Sequence, residues 1–128
     1  MFKRFEEIEA WGKARELVKQ IYMRSNEGAF SRDFGLRDQI RRAGVSIMAN
    51  IAEGYERSGT GEFLQFLAIA KGSAAEVRSH LYVALDQGYL DRKTFDSLCE
   101  EAQSTARMIS RLMEYLRGSA IKGVKYES

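Results

Sequence analysis

The sequence predicts an all-α protein, an antiparallel up-down-up-down four-helix bundle, on three observations. Apolar residues recur at helical spacing in four long segments, and no stretch of useful length alternates apolar and polar residues as a half-buried strand does. Short clusters of glycine and small polar residues separate the last three segments, which favours antiparallel neighbours. None of the 128 residues is proline. Every position therefore keeps a backbone amide, and no ring obstructs the preceding helical turn.

The first helix is expected over about 8–25, with Trp11, Ala14, Val18, Ile21 and Tyr22 on one arc. Ser25-Asn26-Glu27-Gly28 ends it, and the loop beyond holds Phe30 and Phe34, expected to tuck against the end of the bundle. The second helix covers about 36–57 and is stopped by Ser58-Gly59-Thr60-Gly61. Its residues Leu36, Ile40, Ala43, Ile47, Ile51 and Gly54 fall within one stripe, as a core-facing helix requires. Thr60 is placed to cap the third helix, about 61–87, through its side-chain oxygen. That helix aligns Phe63, Leu67, Ala70, Ala74, Val77, Leu81 and Leu85, and closes on Gly88, suited to a left-handed cap. Asp91 then caps a fourth helix, about 91–117, carrying Phe95, Leu98, Cys99, Ala102, Ala106, Ile109, Leu112, Met113 and Leu116. Gly118 is expected to end it, leaving residues 119–128 loosely held. One domain over 1–128 follows from the length.

The second helix carries more apolar surface than one core needs. Val45, Met48, Ala49 and Ala52 fall opposite the core stripe, where a monomer normally places charge, and Tyr55 lies off the stripe as well. These five residues are the expected contact with another copy of the chain, where tyrosine is favoured; Tyr82 and Tyr115 also lie off the core lines. Between the two apolar faces runs a polar stripe of Gln39, Arg42, Ser46, Asn50, Glu53 and Arg57. It is met on the third helix by Glu62, Ser73, Glu76 and His80. Buried polar groups must be paired. The expected outcome is an interhelix network in which Asn50 bonds Ser73, and Arg42 or Arg57 pairs with Glu53 or Glu76.

Composition excludes more than it selects. Twenty basic and eighteen acidic residues leave a net charge of +2, too balanced to announce a polyanion partner. No apolar run is long enough to span a membrane, and the charged start, Met1-Phe2-Lys3-Arg4-Phe5-Glu6-Glu7, does not read as a secretory signal. The lone cysteine, Cys99, sits on an apolar stripe and reads as core filler in a chain suited to a reducing cytoplasm. No nucleophile elbow, phosphate loop or zinc motif is present, so no catalytic residues are expected. A metal site built on Glu53, Glu62, Glu76 and His80 would resemble the di-metal bundles. The single histidine and the absence of any Glu-x-x-His pair argue against it, so neither metal nor cofactor is expected. Nucleic acid, RNA or DNA, remains the better candidate, through Arg37, Arg41, Lys71, Arg78, Arg107, Arg111 and Arg117. Oligomerisation would multiply such a weak patch.

Three stretches carry a family resemblance. They are Phe5…Ala10-Trp11-Gly12-Lys13-Ala14…Leu17, then Leu36…Gln39-Ile40-Arg41-Arg42-Ala43…Ser46-Ile47…Asn50-Ile51-Ala52-Glu53-Gly54, then Glu62-Phe63…Phe66-Leu67…Ala70…Gly72-Ser73-Ala74…Glu76. Over about Phe5 to Leu116 the chain resembles the bacterial proteins encoded by intervening sequences within 23S ribosomal RNA genes, often labelled S23 ribosomal protein. One departure is Met48, where members often carry proline; its absence should leave the helix straighter. The resemblance implies a four-helix bundle assembling as a ring-like homopentamer, and it implies no particular activity and no structural place in the ribosome. Related proteins are accessory subunits of diversity-generating retroelements. That makes a reverse transcriptase with its nucleic acid the alternative partner.

Overall fold

Four helices form, α1 (Glu9–Ser25), α2 (Phe34–Glu56), α3 (Thr60–Asp86) and α4 (Arg92–Glu127). The computed structural model describes the backbone of residues 2–127 and the side chains of residues 2–118. Short 3-10 turns, Phe5–Glu7 and Gly28–Arg32, precede α1 and α2. Among the described residues there is no strand, and the protein is all-α. Each of α1 and α3 packs against both α2 and α4. The contacts run in opposite sequence directions at the α1–α2, α2–α3 and α3–α4 interfaces. Ile21 meets Gly44 while Ser25 meets Arg41, and Ser46 meets Ser73 while Gly54 meets Phe66. Tyr82 packs on Phe95 whereas Lys71 lies near Arg107.

Local chemistry sets the helix ends. Asp33 starts α2 two residues earlier than periodicity places it: its Oδ1 accepts from the Leu36 amide at 3.1 Å. This satisfies one of the free amides of the first turn. Its other oxygen accepts from the Tyr89 hydroxyl at 2.9 Å, tying the α3–α4 turn to the start of α2. That carboxylate, together with burial, raises the Tyr89 pKa above its ordinary value. Thr60 is the first residue of α3 rather than its cap; Gly59 occupies the cap position and makes no side-chain bond. Gly88 closes the α3 turn with φ of 76°, a left-handed conformation that glycine adopts without steric cost. Asp91 accepts from the Thr94 amide at 2.7 Å, which holds its carboxyl below the usual range.

The α2 core stripe, Leu36 to Gly54, is buried throughout. So are the α3 positions Phe63 to Leu81, with Leu85 half-buried. On α4, Phe95, Leu98, Ala102, Ile109, Met113 and Leu116 are buried, while Cys99, Ala106 and Leu112 are half-buried. Helix α1 is rolled relative to expectation. Its core line is Ala10, Ala14, Leu17 and Ile21, with Trp11 and Val18 at the margin and Tyr22 exposed. Phe30 packs inside the loop, stacked on Tyr89 with ring centroids 5.3 Å apart. Phe34 does not tuck in: it is the first residue of α2 and stays exposed. Helix α4 passes through Gly118, which was expected to stop it. One glycine costs a helix only ~1 kcal/mol, and no proline follows. The expectation of a loose tail over 119–128 falls on residues whose side chains lie outside those described.

Candidate nucleic-acid interface

The polar stripe of α2 divides into two parts. At its centre the Ser46 and Ser73 hydroxyls meet at 2.9 Å across the α2–α3 interface. The Asn50 amide donates to Ser46 Oγ at 3.0 Å and to the Ser46 carbonyl at 2.8 Å. The expected Asn50–Ser73 bond is thus replaced by a relay through Ser46, because Asn50 sits one turn away on the same helix. Its outer members are not buried between helices. Arg57 donates to Glu53 of its own helix at 2.8 Å, and a second nitrogen lies 3.9 Å from Glu62. The hydrogen bond to Glu53 leads in holding the Arg57 pKa above its ordinary value. Arg42 and Glu76 make no ion pair among the described residues. With Gln39, Ser46, Ser73 and His80 they line an open polar groove of about 490 Å³. Glu76 and His80 are the only potential metal ligands lining it, and among the described residues no three such groups cluster.

The outer apolar face of α2 is exposed at Val45 and Ala49 and half-buried at Met48 and Ala52. Tyr55 leaves this face. It is half-buried, packs edge-on to Phe2 and Phe63, and donates to the Phe2 carbonyl at 2.6 Å, latching the N-terminal segment to the bundle. Helix α3 adds exposed residues that the sequence reading passed over: Ile69 at 53% and Val83 at 43%. They stand two heptads apart on the helix's outer side, with Gly72 and Ala75 between them. The signal lay in α3 itself, which has apolar or small residues on nearly every face.

Five of the seven candidate cations fall into two groups. Arg37 and Arg41 are engaged within the bundle. Arg37 lies over the Phe34 ring at 4.8 Å and donates to the Ser31 carbonyl at 3.0 Å. Arg41 lies over Tyr22 at 4.5 Å and donates to the Ser25 hydroxyl at 2.8 Å. Lys71 of α3 and Arg107 and Arg111 of α4 converge instead on an open groove of about 420 Å³, completed by Ala106 and Ser110. Arg107 pairs with Glu100 at 2.6 Å, whereas Lys71 and Arg111 make no ion pair among the described residues. Arg78 stands farther along α3, near Cys99, with its Nε buried and without a partner among the described residues. Burial pushes the Cys99 thiol up, away from thiolate reactivity. Arg117 is exposed but turned well round α4 from Arg111, six residues on. Ser110, a hydroxyl donor beside the three cations, was not singled out in the sequence because no spacing rule marks a single serine. The groove offers two cations without a carboxylate partner among the described residues, Lys71 and Arg111, beside the Glu100-paired Arg107 and a hydroxyl, which suits it to phosphate oxygens.

Fold and groove together define a class: a small all-α bundle with no helix among the described residues long and apolar enough to cross a membrane. Residues 6–111 match the family described as 23S rRNA-intervening sequence protein, and the chain belongs to that family. Among solved structures, it is similar to a protein of unknown function of the S23 ribosomal protein family from Bacteroides thetaiotaomicron VPI-5482. The TM-score is 0.74 at 23% identity, over 81% of this chain and 97% of the other. At that identity the likeness concerns the fold. No curated protein matches the chain.

Proposed function

We propose that the protein is a non-enzymatic, homo-oligomeric scaffold, a pentamer, that holds RNA or DNA by its phosphates along the α3–α4 groove. The observation that carries this reading is the convergence of Lys71, Arg107 and Arg111 from two helices on one groove lined by no acidic residue. The exposed apolar positions of α2 and α3, Val45 and Ile69 among them, support assembly, because a contact between copies would take them out of water. In a ring of five, the two unpaired cations per copy amount to about ten charges, enough for strong and salt-sensitive phosphate binding without base recognition.

A gel-shift titration at two salt concentrations tests the reading, comparing the parent with a Lys71→Gln, Arg107→Gln, Arg111→Gln variant. The parent should retard RNA or DNA of unrelated sequences at low salt and lose affinity steeply as salt rises. The variant should bind at least about tenfold more weakly, with a shallower salt dependence. A parent that fails to retard any nucleic acid at low salt ends this reading.

A further inference from the structure

We propose that the end of the bundle where Arg37 stacks on Phe34 and Arg41 on Tyr22 is a platform for the unpaired bases of single-stranded nucleic acid. This deepens the nucleic-acid reading above and rests on it. Phe34 opens α2 at 62% exposure, a position where the fold asks for no aromatic ring, and Tyr22 on α1 is 43% exposed. Phe34, Arg37 and Arg41 fall within about 60° of arc on α2, so the two rings and two guanidinium groups share one side of the bundle end.

The arginines are oriented rather than free to swing. Arg37 is held by the Ser31 carbonyl at 3.0 Å and by Asp38 at 3.3 Å, and Arg41 by the buried Ser25 hydroxyl at 2.8 Å. The result is two exposed rings, each with a half-buried guanidinium lying over it, and a positive charge on Arg41 that no carboxylate among the described residues pairs. Every nucleobase offers a π-face to such surfaces, and the remaining guanidinium N–H groups can meet the intervening phosphates. Duplex bases already stack on one another and cannot use the platform. Asp38 already pairs Arg37, whereas Arg41 has no carboxylate partner among the described residues, so a second copy docking here would have to bring one to cover it; that charge selects a polyanion over an apolar protein surface.

Fluorescence anisotropy with the full chain tests this, using a labelled oligothymidine, an abasic strand of equal length and a duplex. The two single strands carry the same phosphates and differ in having bases. Oligothymidine should bind about tenfold or more tighter than the abasic strand. Phe34→Ala should remove most of that difference, leaving duplex affinity, helical content and light-scattering mass unchanged, while Phe34→Trp should preserve it. Equal binding of the two single strands overturns the platform, as does an equal loss of duplex and single-strand affinity in Phe34→Ala. A change of assembly mass in that variant would make the ring a contact between copies, and also overturns it. If no nucleic acid binds at all, the phosphate reading itself falls, an outcome distinct from binding that ignores the bases.

Discussion

Substituting Gly54 by alanine probes the closest approach in the bundle. A Cβ there would lie 2.6 Å from Phe66 Cβ and 3.0 Å from Phe63 Cδ1. The Phe63 ring edge can turn aside. Phe66 Cβ is bonded to the α3 backbone and moves only if the helix moves. Restoring an ordinary carbon contact requires α2 and α3 to separate locally by about 1 Å, which loosens the packing of Ile51, Phe63 and Leu67. Overpacking of this kind costs ~1–3 kcal/mol, and the immovable neighbour places Gly54→Ala at the upper end. Alanine's helix preference returns ~1 kcal/mol, leaving a net loss of ~2 kcal/mol. At roughly 4 °C per kcal/mol, the melting temperature should fall by about 8 °C. Gly72→Ala is the internal control. Its added carbon meets nothing within 4 Å, so the same substitution should stabilise by ~0.5–1 kcal/mol. Urea and thermal unfolding followed by circular dichroism, at two protein concentrations, separates the pair. A Gly54→Ala protein as stable as Gly72→Ala would refute the close α2–α3 contact.

Two further outcomes follow from the same structure. Tyr89 has a raised folded pKa, so its contribution to stability is full below its unfolded value, near 10.0, and is lost as pH rises through the folded value. Unfolding midpoints should therefore decline more steeply above pH 10 in the parent than in Tyr89→Phe; parallel profiles would remove the Tyr89–Asp33 bond from the account. Ala49→Asp places a charge on the outer face of α2, where it is harmless to a lone bundle and costly inside a contact between copies. Light scattering should report a smaller particle with unchanged helical content, and an unchanged mass would mean that this face is not an interface.

The α2 stripe from Leu36 to Gly54 was legible because its apolar residues keep strict helical spacing. Asp91 and Gly88 were legible because a cap's chemistry lies within three residues of the helix end. The sequence by itself therefore determined the number of helices, most of the core and the absence of strands. Tertiary structure decided whatever depends on which neighbour a face meets. Helix α1 has apolar residues on two arcs, and only packing against α2 and α4 chose Leu17 and turned Tyr22 outward beneath Arg41. Helix α2 has five arginines and glutamates, with Arg57 just past its end and Glu76 facing it from α3, and only side-chain reach gave Arg57 to Glu53 while leaving Arg42 and Glu76 unpaired among the described residues. Seven cations scattered over four helical faces had no pattern along the chain. Three of them share a groove because α3 and α4 run side by side in opposite directions, a juxtaposition that periodicity within one helix cannot encode.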